Sequence, residues 1–139
     1  MINHNPTLAV AVDSWINDGV PSRNDGKHTQ REFDKKYEGF RKLMADKPFV
    51  QIIRDYSNNA VKQFGDNYFD FVYIDADHTY EACYTDIVNW YPKVKPGKFL
   101  LGHDYRRRFG VVDAVNKFIK ENGLEMLFLP PSTWGVIKK

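Results

Sequence analysis

The sequence has little of several features that mark familiar protein classes. It contains one cysteine, Cys83, which excludes an internal disulfide framework and a metal site built from several thiolates. No apolar run approaches the roughly 20 residues that a membrane-spanning helix needs. The first six residues lack the basic and then apolar character of a signal peptide. We therefore expect an intracellular, cytoplasmic protein.

An excess of charge of one sign is also missing. The net charge is +2 at pH 7, so bulk electrostatics do not favour binding to nucleic acid or to an anionic membrane. The only basic block is Arg106-Arg107-Arg108. It would either hold an anionic substrate such as a sugar phosphate or form a solvated surface run.

What the sequence does have is a regular alternation of short apolar runs and amphipathic segments. Thr29-Gln30-Arg31-Glu32 has the form of a capping box at a helix start, and Ser57 is a suitable N-cap for a shorter helix. Cys83 falls on the apolar side of a helical pattern, which favours a buried structural thiol. Strands are predicted at 7–12, 49–53, 69–74, 99–102, 126–129 and 134–137, and helices at 29–46, 57–64, 80–90 and 111–122.

The order of these segments predicts one α/β domain over residues 1–139. Alternating strands and helices produce parallel strands with helices on both faces of the sheet. The last two strands form a hairpin, so the sheet is expected to be mixed, and Lys95-Pro96-Gly97 is expected to be a turn. The polar segment 14–28 is a long loop, and loops of that length are usually functional; we expect a lid.

Acidic side chains follow the predicted strands. Ligands of open α/β sheets bind beyond the carboxyl ends of the strands, so these residues are the first candidates for a site. A strand-terminal Asp also commonly caps the next helix, which is the alternative for each residue taken singly. The candidates are Asp13, Asp55, Ser57, Asp75, Asp77 and Asp104.

Two histidines lie among these acids. Asp75, Asp77, His78, His103 and Asp104 are predicted to form a hard-cation or acid–base cluster. Carboxylate oxygens with an imidazole suit Mg²⁺ or Mn²⁺, and the lack of thiolates argues against structural zinc. Alternatively, the histidines only form hydrogen bonds along the edge of the sheet.

Several segments together resemble one family of proteins. Their order and spacing are similar to those of class I methyltransferases of methyltransferase family 24, which carry Ile-Asp-Gly-Asp-His-x-Tyr, Pro-Gly-Gly and His-Asp-Tyr segments. The segments here are Val12-Asp13-Ser14-Trp15, Ile74-Asp75-Ala76-Asp77-His78-Thr79-Tyr80, Lys95-Pro96-Gly97-Lys98, Gly102-His103-Asp104-Tyr105 and Thr133-Trp134-Gly135-Val136-Ile137-Lys138.

The resemblance implies a Rossmann-like three-layer fold and S-adenosylmethionine as cofactor. Asp13 would hold the ribose hydroxyls and Trp15 would lie against the adenine. Asp55 or Ser57 would touch the adenine edge, and Asp75 is a further cofactor-binding candidate.

For the reaction itself, the resemblance implies methyl transfer to an oxygen, or a nitrogen, of a small acceptor. Asp75, His103 and Asp104 would be the metal ligands, and Asp77 or His78 would remove the acceptor proton. His103 stands where the metal-dependent relatives have an Asp.

Compared with that family, the chain lacks the first strand and the glycine-rich loop, and no Gly-x-Gly motif occurs in it. We expect a shortened enzyme, half of a split enzyme, or a degenerate relative with a binding or structural role. An open strand position is a pairing hazard, which predicts a homo-oligomer or a covering partner chain. A nucleic-acid methylase is a weaker alternative, because the Asp75–His78 segment is not an Asn/Asp-Pro-Pro-Tyr/Phe motif.

Overall fold

The computed structural model describes residues 7–17, 29–106 and 110–139. The chain divides into two compact units, a first unit Met1–Ala60 and a second unit Val61–Lys139. The prediction of one domain over residues 1–139 stays a prediction. Residues 18–28 of the predicted lid, together with Arg107 and Arg108, lie outside the described residues.

The first unit contains one strand pair and one long helix. Strand β1 (Ala9–Asp13) pairs in parallel with β2 (Val50–Arg54), and α1 (Gln30–Leu43) connects them. The predicted capping box is confirmed, since the Thr29 side chain accepts from the Glu32 N–H while the Glu32 carboxylate accepts from the Thr29 N–H. Among the described helices, none has both the length and the hydropathy for a membrane crossing.

The short helix after β2 differs from its prediction. Helix α2 (Ser57–Ala60) starts at Ser57 itself and continues as a 3₁₀ turn, Val61–Gln63, so Ser57 is not the N-cap. The carboxylate of Asp55 accepts from the Tyr56 N–H at 2.7 Å and from the Asn59 amide at 3.0 Å. Asp55 thus holds the residue that precedes the helix and one side chain of the helix itself.

The second unit is built on a four-stranded sheet in the order β3-β4-β6-β5. Strands β3 and β4 are parallel, whereas β4–β6 and β6–β5 are antiparallel. The predicted terminal hairpin and the mixed character of this sheet are therefore confirmed. The strands are β3 (Phe69–Ile74), β4 (Val94–Gly102), β5 (Leu127–Leu129) and β6 (Thr133–Ile137).

The prediction that a turn at Lys95-Pro96-Gly97 precedes the strand is wrong, because these residues lie inside β4. Phe69 pairs with Val94 while Phe71 pairs with Phe99, so the residues between Val94 and Phe99 bulge out of the ladder. Gly97 has a φ of 74°, which glycine adopts without steric cost. A turn-like sequence can therefore be absorbed by a strand as a bulge.

Two helices cover one face of this sheet. Helix α3 (Tyr80–Trp90) packs against both α4 (Val111–Asn122) and β3, and Gly123 closes α4 in the left-handed conformation, as predicted. The fully buried side chains include Ile87, Leu100, Val115, Trp134 and Val136. Gly102 belongs to this packing, because a Cβ there would lie 2.4 Å from the Trp134 ring.

The opposite face of the sheet is not covered by helices of the second unit. Phe71, Tyr73, Phe99 and Ile137 are 62, 46, 40 and 45% exposed, and strand alternation places them away from α3 and α4. In the described part of the chain, β1 pairs with β2 alone and β3 with β4 alone. The predicted α/β architecture with parallel strand pairs is therefore confirmed, and the described strands form two separate hydrogen-bonded sheets.

Candidate functional site

The carboxyl ends of β3 and β4 bring the strongest candidates together. Ile74 and Gly102 are paired in the parallel ladder, and the His103 N–H donates to the Ile74 carbonyl at 3.0 Å. Neighbouring parallel strands end at the same edge of a sheet. Asp75, which follows β3, therefore lies beside His103 and Asp104, which follow β4.

Asp75, His78 and Asp104 converge there, and we call them the acid–imidazole cluster. One ligand atom from each lies within 4.8 Å of the others. The His78 Nε2 is 2.7 Å from Asp104 Oδ2 and 3.8 Å from Asp75 Oδ1. The Asp104 side chain is 17% exposed and that of Asp75 is 51% exposed, so the cluster has one sheltered carboxylate and one that faces solvent.

Backbone conformation aims the sheltered carboxylate. Asp104 has a φ of 54°, a left-handed conformation that Asp and Asn tolerate better than most residues. Its carbonyl accepts from the Arg106 N–H at 2.6 Å, which closes a tight turn after β4. The turn orients Asp104 toward His78.

His78 is held by the loop that leads into α3. Its carbonyl accepts from the Gly110 N–H at 3.0 Å, and Thr79 is the N-cap of α3. Asp77 accepts from the Thr79 N–H at 2.7 Å and is not one of the three residues of the acid–imidazole cluster. Its assignment as the general base stays a prediction, and its contact with the Thr79 N–H orders the loop.

Cys83 lies behind this loop on the buried side of α3. It is a free thiol, 2% exposed, which confirms the predicted structural role. Burial, followed by the charges of Asp86 and Asp77, raises the pKa of the Cys83 thiol to about 12. A thiol this basic is not a nucleophile near neutral pH.

The second histidine, His103, lies beside the cluster. Its Nδ1 is 3.4 Å from Asp104 Oδ2 and 4.0 Å from Asp75 Oδ1, whereas its Nε2 is 3.1 Å from Ser132 Oγ. Ser132 was not among the sequence candidates. A Ser after two prolines is typical of a turn, and only the β4–β6 pairing brings it under the site.

The cluster fits two kinds of chemistry. Two carboxylate oxygens and one imidazole nitrogen at this spacing match the ligands of Mg²⁺ or Mn²⁺. Without an ion, the contact between His78 and Asp104 is an acid–imidazole pair able to accept a proton from a bound hydroxyl. In both cases, the exposure of Asp75 leaves room for a ligand.

The carboxyl ends of β1 and β2 carry the candidates of the first unit. The Asp55 N–H donates to the Asp13 carbonyl at 3.1 Å, so the two acids are neighbours at that edge. Asp13 Oδ1 accepts from the Trp15 N–H at 2.8 Å, and Ser57 opens α2. Of the predicted cofactor residues, the structure thus groups Asp13, Trp15, Asp55 and Ser57 in this unit.

The Trp15 side chain is buried against aromatic residues of α1, so little of its ring is open for stacking. It is 9% exposed, and its ring centroid lies 5.1 Å from that of Tyr37 and 5.9 Å from that of Phe40 on α1. Its carbonyl accepts from Gln30 and from Arg54. Contact of Trp15 with an adenine stays a prediction.

These elements define a Rossmann-like α/β protein with acids at the carboxyl ends of its strands. The sequence profile of the family described as Methyltransferase domain matches residues 3–105, a span that includes parts of both units. The chain belongs to this family, which confirms the resemblance to methyltransferase family 24.

One relative matches most of the chain in sequence, and solved structures support the fold. The uncharacterised protein y4gI of Sinorhizobium fredii (strain NBRC 101917 / NGR234) is 28% identical over 143 residues, which cover 93% of this chain and 14% of y4gI. The O-methyltransferase NovP is 14% identical with a TM-score of 0.67, covering 95% of this chain and 60% of NovP. An O-methyltransferase from Bacillus cereus in complex with SAH is 12% identical with a TM-score of 0.58, covering 94% and 63%. The chain thus spans less than two thirds of each of these proteins.

Proposed function

We propose that the protein takes part in S-adenosylmethionine-dependent methyl transfer to an oxygen, or less readily a nitrogen, of a small acceptor in the cytoplasm. The convergence of Asp75, His78 and Asp104 at one edge of the sheet carries this proposal, because the chain belongs to the Methyltransferase domain family. The SAH bound by the Bacillus cereus protein supports the choice of cofactor.

In this proposal the first unit binds the nucleoside part of the cofactor. A strand-terminal carboxylate such as that of Asp13 accepts both hydroxyls of a ribose diol. One Asp13 oxygen is oriented by the Trp15 N–H. Asp55 or Ser57 would contact the adenine edge, and Trp15 would contact its face.

The second unit acts on the acceptor. Methyl transfer is an in-line displacement, so the protein mainly aligns donor and acceptor. Asp75 and Asp104 with an imidazole would hold Mg²⁺ or Mn²⁺, and such an ion lowers the pKa of a bound hydroxyl. His78 lies where it can take the acceptor proton, and Asp77 is the alternative base. An anionic acceptor would be favoured by Arg106, which is 4.0 Å from Asp104 and half exposed.

Calorimetric titration of the full chain with S-adenosylmethionine, with and without Mg²⁺, tests the proposal. We expect saturable binding that becomes at least about tenfold weaker in Asp13→Asn, since a charge-assisted hydrogen bond contributes about 1.5–3 kcal/mol. Glu38→Gln is the matched control on the exposed side of α1. Absence of heat under both conditions would contradict the proposal for this chain.

A non-catalytic binding or structural protein is the second candidate. It is favoured by the open edges of β1 and β3 in the described part of the chain. A scaffold does not need Asp75, His78 and Asp104 to converge. The same titration separates the two, because a scaffold would show no cofactor binding while keeping its fold.

We also propose that the open strand edges are covered by a second copy of the chain or by a partner chain. Exposed Phe71 and Tyr73 flank the free edge of β3, and an uncovered apolar edge strand promotes association. Light scattering during size-exclusion chromatography should give a mass above 16.3 kDa. A monomer at all concentrations would contradict self-association and leave a different chain as the partner, which co-purification would identify.

A further inference from the structure

We infer that Ser132 is a positioning residue that holds His103 in the tautomer whose Nδ1–H faces the Asp104 carboxylate. The inference rests on the proposed function for its chemical meaning. It stands on geometry within the second unit alone. It also assigns different tasks to the two histidines of the site.

Ser132 is tied firmly to the turn after β4. Its relative exposure is 0%, and its carbonyl accepts from the Tyr105 N–H at 3.0 Å. The β4–β6 ladder ends with the pair Gly102 and Trp134, which brings the segment before β6 beside the residues after β4. Water therefore cannot easily replace the Ser132 hydroxyl as the partner of His103.

The hydrogen-bond donors around Ser132 Oγ set the direction of its proton. The Arg106 guanidinium donates to Ser132 Oγ at 3.4 Å, and arginine has no acceptor. Among the described residues, the acceptor within reach of the hydroxyl proton is His103 Nε2 at 3.1 Å, so the proton is directed there. A neutral imidazole whose Nε2 accepts carries its proton on Nδ1.

The proton on Nδ1 then faces carboxylate oxygens. His103 Nδ1 is 3.4 Å from Asp104 Oδ2 and 4.0 Å from Asp75 Oδ1. A protonated Nδ1 has no lone pair to offer a cation, so His103 orients Asp104 instead of acting as a ligand. His78, with its Nε2 at 2.7 Å from Asp104, is then the imidazole that serves a cation or an acceptor proton.

This arrangement places polar partners around a reactive carboxylate, through a hydrogen bond between Ser132 and His103 and a 3.4 Å contact between His103 Nδ1 and Asp104 Oδ2. Partners of that kind fix the orientation of first ligands, and their loss typically costs 10–100-fold in metal affinity. Ser132 acts on His103, and His103 acts on Asp104. The sequence expectation that His103 itself is a ligand is thereby replaced by a supporting role for it.

Nitrogen-15 NMR of the histidine side chains in the full chain, without cofactor or metal, tests the inference directly. We expect His103 near neutral pH to show a pyridine-like Nε2 and a pyrrole-like Nδ1. Ser132→Ala should shift His103 toward a mixture of tautomers, and Ser132→Thr should restore the wild-type signals because it keeps the hydroxyl. Thr133→Ala is the matched control, since its hydroxyl contacts Tyr73 and not His103.

Titration with Mn²⁺ alone adds a functional readout. Ser132→Ala should bind Mn²⁺ about tenfold more weakly than wild type, with Ser132→Thr and Thr133→Ala unchanged. A pyrrole-like Nε2 in the wild-type protein would overturn the inference, whether or not Ser132→Ala folds. The predicted tautomer in a protein that binds no S-adenosylmethionine would instead reject the proposed function and leave the role of Ser132 intact.

Discussion

The two units differ in how they are held together. The second unit has a dense apolar core in which Ile87, Leu100 and Val136 are fully buried. In the first unit, helix α1 has no buried residue. The buried apolar side chains of that unit, among the described residues, are Trp15, Ile53 and Ala60. Because burial of apolar surface is the main stabilising term, the first unit depends more on polar contacts.

The two units also differ in how far apart in the chain their polar partners lie. In the first unit, Asp13 and Asp55 each accept from backbone N–H groups of neighbouring residues. In the second, Asp75, His78 and Asp104 come from two separate strand ends and meet. A rigid core supports groups that must be held at fixed distances, whereas local turns suffice to orient single carboxylates. The contrast therefore supports the proposal that the second unit holds the reacting groups and the first unit the cofactor contacts.

The largest expected effect is on stability, through a matched pair of tryptophan substitutions. Trp134→Ala should lower the free energy of unfolding by about 3–5 kcal/mol, because it empties a fully buried site against Gly102. Trp15→Ala should cost less, about 2 kcal/mol, because its neighbours on α1 are themselves partly exposed. Urea denaturation measures both losses, and hydrogen exchange assigns each to its unit.

Leu43→Ala is the control for this pair, since Leu43 is 64% exposed and should change stability by no more than about 0.5 kcal/mol. Equal losses for Trp15→Ala and Trp134→Ala would remove the contrast in packing.

The next largest effect is expected on ligand binding, where each of two substitutions should weaken one ligand and spare the other. Asp104→Asn keeps a side chain that tolerates the positive φ but removes the charge, so Mn²⁺ affinity should fall at least about tenfold with little change in S-adenosylmethionine binding. Asp13→Asn should weaken S-adenosylmethionine binding with little change in Mn²⁺ affinity. Calorimetry with each ligand alone measures both, and a variant that weakened both ligands equally would end the division of tasks between the units.

Much of the local structure could be predicted because its signals are short-range. The Thr29–Glu32 capping box, the Gly123 helix end and the terminal hairpin depend on residues close in sequence, and all are confirmed. The bulge after Val94 was mistaken for a turn, because a Pro-Gly pair has the same local preference in both settings.

The site was predicted only as far as its strand ends. Asp75, His78 and Asp104 follow from the rule that ligands lie at the carboxyl edge of parallel strands. Which histidine meets which carboxylate depends on the positive φ of Asp104, which no pattern indicates. Ser132 is 29 residues from His103 in the chain, and only the antiparallel register of β6 brings the two together.

The smallest expected effect is the pH dependence of the first unit. Arg54, on β2, donates to Asp34 of α1 and to the Trp15 carbonyl. The hydrogen bond from the Arg54 guanidinium, with a second from Gln30, lowers the pKa of the Asp34 carboxyl below its ordinary value of 3.8. Since the folded-state pKa is depressed, the contribution of Asp34 is present above pH 3.8 and is lost as the pH falls through the folded-state value.

Asp34→Asn should therefore reduce the protection of β1 and β2 against hydrogen exchange slightly near neutral pH. The difference from wild type should vanish in acid, where Asp34 is protonated in both folded and unfolded chains. Asp46→Asn is the control, because Asp46 is 81% exposed and bridges to the adjacent Lys47, so it ties no two elements together. A loss of protection in β3 and β4 as large as that in β1 and β2 would show that Asp34 does not stabilise the first unit selectively.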